Sequence, residues 1–164
     1  MNNLRTFRSS MDSFTAQTTN WAMIAMVVSL YLMGAYYRST RNGLIVGTAS
    51  FVILVFLMAW LVTARSYRVS EDELVINCFL FPVRIPREDI MNVGIIPADE
   101  IFMARLFAFG GVFGYTGIYF VRQLGKVYVY GRKNSGDRVA VTLVNGKIYL
   151  LSPDDAPALA DTLS

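Results

Sequence analysis

Two uncharged and strongly apolar runs lie within the first 64 residues of the chain. As α-helices, Trp21 to Tyr37 would rise about 26 Å and Gly43 to Ala64 about 33 Å. Both lengths suit the hydrocarbon core of a bilayer, which is about 30 Å thick. The hydrophobic content of 54% also exceeds the roughly 45–50% of ordinary soluble domains. The sequence therefore predicts two transmembrane helices, over 21–37 and 43–64.

The two runs are separated by Arg38 to Asn42 alone, so the helices are expected to form an antiparallel hairpin whose ends return to one side of the membrane. Basic residues in short flanking segments set the orientation of such a hairpin. The shared side carries Arg5, Arg8, Arg65 and Arg68, whereas the hairpin tip carries Arg38 and Arg41. We therefore expect a protein of the inner (plasma) membrane, with its N-terminus and its C-terminal domain, residues 65–164, in the cytoplasm.

The first 20 residues leave alternatives open. Apolar side chains recur there at spacings of three and four, which suits a short interfacial helix, although a frayed polar tail fits equally well. These side chains are Leu4, Phe7, Met11 and Phe14. Because Arg5 and Arg8 precede the first apolar run, a cleavable signal peptide is the alternative to a first transmembrane helix.

The charge balance differs between the two parts of the chain. Residues 1–64 contain four basic and one acidic side chain, whereas residues 65–164 contain eleven of each, so the net charge of +3 belongs to the N-terminal part. A nucleic-acid-binding domain needs a surplus of Lys and Arg to neutralise phosphates. The C-terminal part is therefore not expected to bind nucleic acid.

Side chains that most often perform catalysis are scarce. The sequence has no histidine, which removes Ser-His and Cys-His nucleophilic sites and histidine-based zinc sites. Its one cysteine, Cys78, lies in an apolar alternation, where a small buried residue is the expected role. We expect neither an enzyme nor a cofactor or metal site.

After Ala64 the apolar residues alternate with a period of two, which is typical of strands. Strands are predicted around 67–69, 74–78, 83–85, 91–96, 126–130, 138–144 and 147–151. Asn145-Gly146 separates the last two and predicts a tight hairpin, because both turn residues tolerate positive φ. Ser152 as N-cap and Pro153 at the first helical position then predict a C-terminal helix over 153–163.

Three stretches met in order, YRVSEDELVI, RLFAFGGVFGYTGIYF and NGKIYLLSPDD, resemble the bacterial pleckstrin-homology-like domains that are fused to small transmembrane anchors. The resemblance covers Ser66 to Leu163. Its most specific parts are the hairpin leading into Ser152-Pro153 and a glycine-aromatic stretch with Arg105, Gly110, Gly111, Gly114 and Gly117.

That resemblance implies a mainly β domain of about seven strands, forming a bent sheet or partly open barrel capped by a C-terminal helix. It also implies a binding or scaffolding module. Eukaryotic relatives often bind inositol phosphates through a basic first hairpin, but here that hairpin carries Glu71, Asp72 and Glu73. Three carboxylates repel phosphate, so phosphoinositide binding is not expected.

The segment Ile101 to Val121 is unusually apolar, with one charge among many aromatic and glycine residues. It fits an excursion folded over the barrel as core, a loop that touches a membrane or a partner, or a third transmembrane segment. The second interpretation makes candidate contact residues of Arg105, Phe107, Phe109, Gly110, Gly111, Phe113 and Tyr115. The sequence GGVFG lacks a following Lys-Ser/Thr and is interpreted as a structural turn, not a phosphate loop.

Arg132, Lys133 and Arg138 surround a predicted basic hairpin tip and are candidates for contact with anionic lipid head groups. Three pairs of adjacent carboxylates could in principle act as acid and base, but their positions at turns or caps favour a solvated surface role. These pairs are Glu88-Asp89, Asp99-Glu100 and Asp154-Asp155.

Two functional hypotheses follow. The first is a membrane-tethered scaffolding module that binds a protein partner or a second copy of itself, because tethering makes weak contacts effective. Its contact surface would be the glycine-aromatic stretch, an open strand edge, or the face around Tyr128 and Tyr130. The second is an accessory subunit of a larger membrane complex, in which small residues of the helices pack against other transmembrane segments. Those residues are Gly34, Gly43, Gly47, Ala49 and Ser50.

Overall fold

A computed structural model describes residues 4–97, 103–122, 124–133 and 135–164, without the side chains of Met103, Arg105 and Phe109. Two long helices, α1 (Ser13–Thr40) and α2 (Gly43–Val62), form a hairpin with Arg41 and Asn42 between them. Arg41 has a φ of 53°, which reverses the chain at once. The helix α1 starts well before the predicted Trp21 because the Asp12 carboxylate caps it, accepting the Thr15 N–H at 2.8 Å.

Both helices are long and apolar enough to cross a membrane, which makes them candidate membrane spans. Only 6% of the most apolar window of each is buried against the rest of the chain. That exposure distinguishes them from the core helices of a soluble protein, whose apolar faces are covered.

Neither alternative for the N-terminal segment, an interfacial helix or a frayed tail, holds over Arg5–Arg8, which form strand β1. This strand pairs antiparallel with β2 (Ala64–Val69), from Arg5 opposite Val69 to Arg8 opposite Ser66. Phe7 packs against the main core. The free edge of β2 offers backbone partners that an isolated segment lacks, so the local helical spacing does not decide the structure.

The strands form two sheets. Besides β1 and β2, they are β3 (Glu73–Cys78), β4 (Val83–Pro86), β5 (Ile90–Ile96), β6 (Met103–Gly110), β7 (Tyr115–Val121), β8 (Gly125–Gly131), β9 (Arg138–Leu143) and β10 (Ile148–Ser152). The first sheet has the order β1-β2-β3-β4 and the second β5-β9-β10-β8-β7-β6. A short 3₁₀ turn, Arg87–Asp89, joins β4 to β5.

The predicted fold, a mainly β domain with a C-terminal helix, is confirmed. The hairpin at Asn145-Gly146 is also confirmed, with a φ of 79° at Gly146. Strands β1, β6 and β7 were not predicted. The last two occupy the segment 101–121, so a third transmembrane helix is wrong for the described residues of that segment: β6 pairs with β7 as an antiparallel hairpin at the edge of the second sheet.

The main core lies between the two sheets and α3 (Ala156–Leu163). It includes Tyr67 and Leu74 of the first sheet, Val141 of the second and Leu159 of α3, all fully buried. Cys78 is buried, as predicted. A smaller cluster lies on the other face of the second sheet, where Ile96 of β5 and Ala108 of β6 both pack, so this sheet curls.

The C-terminal helix starts three residues later than predicted. Its N-cap is Asp155, whose carboxylate accepts the Ala158 N–H at 3.0 Å, and Pro157 follows in the first turn. Ser152 instead ends β10, where its backbone and hydroxyl bind neighbouring strands. The tertiary hydrogen bonds of Ser152 therefore prevent it from serving as the predicted cap.

Candidate functional site

The β6–β7 connection, Gly111–Gly114, packs against the two long helices, and we call it the junction turn. Its Phe113 N–H donates to Thr19 Oγ1 of α1 at 2.9 Å, and the Phe113 ring meets Phe56 of α2 edge-on with centroids 6.4 Å apart. Phe113 has a φ of 63°, a conformation that costs about 1–2 kcal/mol for a residue with a Cβ. Contacts with both helices offset that cost.

Glycine is required at Gly114 for two reasons. Its φ of 151° is rare for L side chains, and a Cβ there would lie 2.6 Å from the Gly131 carbonyl oxygen and 2.9 Å from Thr63 Cγ2. Thr63 follows α2, and its hydroxyl donates to the Ala59 carbonyl at 2.7 Å. The junction turn therefore packs closely between the Thr63 side chain at the end of α2 and the Gly131 backbone of strand β8.

A network that we call the polar clasp joins the segment before α1 to the β domain. Ser9 Oγ donates to the Ser152 carbonyl at 2.9 Å, and Ser10 donates to Asp154 Oδ1 from its hydroxyl at 2.6 Å. Asp12 caps α1 with one oxygen and with the other accepts the Ser135 N–H at 3.0 Å. The start of α1 is thus held to the ends of β8 and β10.

The predicted head-group contacts, Arg132, Lys133 and Arg138, lie beside this clasp. Lys133 Nζ pairs with Asp154 at 2.6 Å, and Arg132 Nε donates to the Phe113 carbonyl at 3.4 Å. Arg138 is only 3% exposed, and burial lowers the pKa of its guanidinium from the ordinary value. All three basic groups are engaged inside the protein.

Acid should loosen the polar clasp. Burial raises the pKa of Asp154, but hydrogen bonds from Lys133 and Ser10 more than offset this and leave the pKa below its ordinary 3.8. A carboxyl with a lowered folded-state pKa stabilises the fold above its unfolded pKa, and that stability is lost as the pH falls through the folded value.

We expect Asp154→Asn to lower the denaturant midpoint of the intact chain in mild detergent at pH 7, with the difference from wild type shrinking toward pH 3. Glu71→Gln, at an exposed carboxylate in the β2–β3 turn, is the matched control and should leave the midpoint nearly unchanged. An Asp154→Asn difference that is the same at both pH values would contradict this role.

The free edge of β6 carries Phe107, the most exposed large apolar side chain among the described residues of the β domain. Phe107 is 80% exposed and Leu106 59%, because a bulge between Arg105 and Phe107 turns neighbouring side chains outward. Among the described residues, β6 pairs with β7 and its other edge is open. An open edge presents unpaired backbone donors and acceptors to any extended chain.

The candidate residues of the glycine-aromatic stretch thus fall into separate places. Gly110, Gly111 and Phe113 face the helices, where Gly110 helps to line a small apolar cavity beside Phe56. Tyr115 belongs to the smaller core cluster, and Phe107 lies on the outer edge. The side chains of Arg105 and Phe109 lie outside the described residues, although their backbones pair with Tyr119 and Thr116.

A second apolar loop, Phe79–Pro82 between β3 and β4, also lies beside α2, and we call it the aromatic turn. The Phe79 ring lies 5.4 Å from that of Trp60, and the Leu80 N–H donates to the Leu61 carbonyl at 3.3 Å. The aromatic turn is not among the contact sites that the sequence predicted. The sequence feature that could have indicated it is the apolar run Phe79-Leu80-Phe81 at a turn, where polar residues are usual.

A family model described as a bacterial PH domain matches residues 65–164, more than half of the chain. The chain belongs to this family. No curated protein and no solved structure matches the chain significantly. The predicted resemblance is therefore confirmed, and domains of this fold are in general binding modules without catalytic activity.

The Cys78 thiol and the carboxylates of Asp154 and Asp155 in this PH domain have structural roles. Burial raises the pKa of the Cys78 thiol to about 11, so it is protonated at neutral pH and a poor nucleophile. Asp155 caps α3, Asp154 belongs to the clasp, and Asp99-Glu100 lies outside the described residues. Within the described parts of the chain, no group of three His, Cys, Asp or Glu side chains could hold a metal ion.

Proposed function

We propose that this protein is a PH-domain scaffold anchored in the inner (plasma) membrane by α1 and α2, whose domain binds a protein partner at the cytoplasmic surface. The arginine excess at the shared end of the helices supports that orientation. The observation that carries the binding role is the open β6 edge with Phe107 exposed upon it.

The partner fits best as an extended segment of another protein that adds a strand to β6. Backbone hydrogen bonds would supply affinity, and an apolar side chain packed against Phe107 would supply specificity. The junction turn strengthens this proposal, because it holds the β6–β7 hairpin at a defined place beside the helices, while the polar clasp holds the ends of β8 and β10 to α1. A partner strand would then meet an edge of fixed position, which lowers the entropy lost on binding.

The β2–β3 turn is an unsuitable phosphate site in this proposal. It carries Glu71, Asp72 and Glu73, and Glu73 pairs with Arg84 at 3.5 Å. Val69 and Leu74 flank this turn, whereas Ala64 and Cys78 form the opposite end of the pair, next to α2. The turn with its carboxylates therefore lies at the end of the hairpin remote from α2.

A photo-crosslinking amino acid at Phe107 tests the proposal in intact cells. We expect it to capture a discrete protein, whereas the same group at Val144, another exposed apolar position in the β9–β10 turn, should capture none. Equal capture at both positions, or capture at neither, would count against the β6 edge.

The second candidate, an accessory subunit whose helices make the main contacts, is favoured by the glycines of the hairpin. A Cβ at Gly34, Gly43 or Gly47 would meet nothing within 4 Å, so these small faces are not used by the helix pair itself. A crosslinker at Gly47 that captures a membrane protein while position 107 captures none would favour this candidate.

A further inference from the structure

The aromatic turn exposes three consecutive large apolar side chains to the surroundings. Phe79 is 61% exposed, Leu80 42% and Phe81 64%. Soluble turns are built from Gly, Pro, Asn, Asp and Ser, and no charge occurs between Cys78 and Val83. An apolar protrusion of this kind marks a contact with a nonaqueous surface.

The position of this turn along α2 is fixed by hydrogen bonding. The Leu80 N–H satisfies the carbonyl of Leu61, one of the last four carbonyls of the helix, which have no partner within it. The turn therefore lies level with the last turn of α2. Its apolar surface continues that of the helix, because Phe79 packs on Trp60 and Leu57 is exposed one turn further along.

Arg65 marks the polar boundary beside the same residues. Its guanidinium lies 4.4 Å from the Trp60 ring centroid and 5.5 Å from that of Phe79. Tryptophan and arginine at a helix end are typical of the membrane interface, where the ring lies at head-group level and the cation reaches toward phosphate.

The orientation of β2 and β3 places the acidic β2–β3 turn far from the aromatic turn. Ala64 pairs with Cys78 beside the helix end, and Val69 pairs with Leu74 at the far end of the same strands. Five residues of strand span about 17 Å, so the acidic β2–β3 turn is held well away from the aromatic turn. Anionic head groups and the carboxylates are thereby kept apart.

We infer that the aromatic turn inserts into the bilayer interface next to α2, as a third point of membrane contact that fixes the tilt of the PH domain. The occupant of this surface is lipid, because the turn is tied to the end of a helix whose own apolar surface it extends. This inference rests on the membrane anchoring proposed above, and it adds an anchor within the domain itself.

Quenching of a fluorescent label in the intact chain tests the inference. With Cys78 replaced by Ala, single cysteines at Phe81, Leu54 and Val144 are labelled with a polarity-sensitive fluorophore in phosphatidylcholine/phosphatidylglycerol vesicles. Leu54 is exposed in the middle of α2 and Val144 in the β9–β10 turn, so they serve as membrane and water references. We expect shallow spin-labelled lipid to quench position 81 several-fold more than position 144, and iodide to show the reverse.

The three positions separate failure of this inference from failure of membrane anchoring. Lipid quenching at Leu54 with strong iodide quenching at Phe81 would overturn the inference and leave the anchor intact. Protection of Phe81 from both quenchers would mean that protein covers it, which also overturns the inference. Absence of lipid quenching at Leu54 would overturn both proposals.

Discussion

Gly114→Ala is expected to destabilise the fold by about 2–5 kcal/mol, because the cost of a strained backbone conformation adds to the cost of overpacking. The new Cβ would press on the Gly131 carbonyl oxygen at 2.6 Å, and backbone cannot rotate away as a side chain can. Relief requires the junction turn to lift from Thr63. The effect should therefore be both a global loss of stability and a local loosening of the contact with the helices.

Urea unfolding of the intact chain in mild detergent measures the global loss, and hydrogen exchange of the Phe113 amide, which donates to Thr19 Oγ1, measures the local one. Gly146→Ala is the matched control, since Gly146 has a φ of 79° but nothing within 4 Å of the added Cβ. It should cost about 1–2 kcal/mol from backbone strain and leave Phe113 exchange unchanged. Equal costs for the two substitutions would refute the close contact at Gly114.

Tyr67→Phe is expected to cost about 1–3 kcal/mol, because it removes one oxygen and leaves buried backbone groups unsatisfied. The Tyr67 hydroxyl donates to the Tyr130 carbonyl at 2.6 Å and accepts the Ser152 N–H at 3.1 Å. The side chain is fully buried, and burial raises the pKa of its hydroxyl, so the group is neutral at all ordinary pH values. This one hydroxyl links β2 to β8 and β10, hence the first sheet to the second.

The control is Tyr149→Phe, a half-buried tyrosine that stacks on Tyr130 at 6.2 Å. Its hydroxyl is hydrogen-bonded to none of the described residues, so its removal should be nearly neutral. Denaturant midpoints of the two variants, compared with wild type, give the difference directly. If Tyr149→Phe lowered the stability as much as Tyr67→Phe, the loss at Tyr67 could not be attributed to its hydroxyl bridge.

The PH domain is attached to its helices at three places, not by a simple linker. The junction turn contacts both helices, the aromatic turn meets the end of α2, and the polar clasp holds the start of α1. A domain held in this way presents its β6 edge in a constant orientation relative to the two helices. That geometry suits the proposed scaffold better than a domain on a flexible linker.

Sequence patterns predicted most of the fold where the signal is local. The uncharged runs gave the two helices, the alternation gave strands β2 to β5 and β8 to β10, and Asn145-Gly146 gave the last hairpin. The same patterns failed at Arg5–Arg8, where the edge of β2 determines the structure, and at Ser152, where contacts with β2 and β8 displace the helix cap.

The glycine-aromatic stretch shows why the candidate site was only partly predictable. Its composition indicated an unusual segment, but the same composition fits core, contact surface or membrane segment. The fold sends Tyr115 into the core, Phe113 onto the helices and Phe107 outward. Residue spacing could not predict these three locations, because a turn separates β6 from β7 and the bulge beside Phe107 shifts the alternation within β6.

Two apolar helices followed by a β domain are predictable from local sequence, because run length, period and turn chemistry depend only on neighbouring residues. How those parts are joined, and which apolar side chains remain exposed, is visible only in the folded chain. The bond from Phe113 to Thr19 spans 94 residues, and that from Ser10 to Asp154 spans 144. Contacts between residues so far apart in sequence form only in the folded chain, because the strands between the two partners determine where each partner lies.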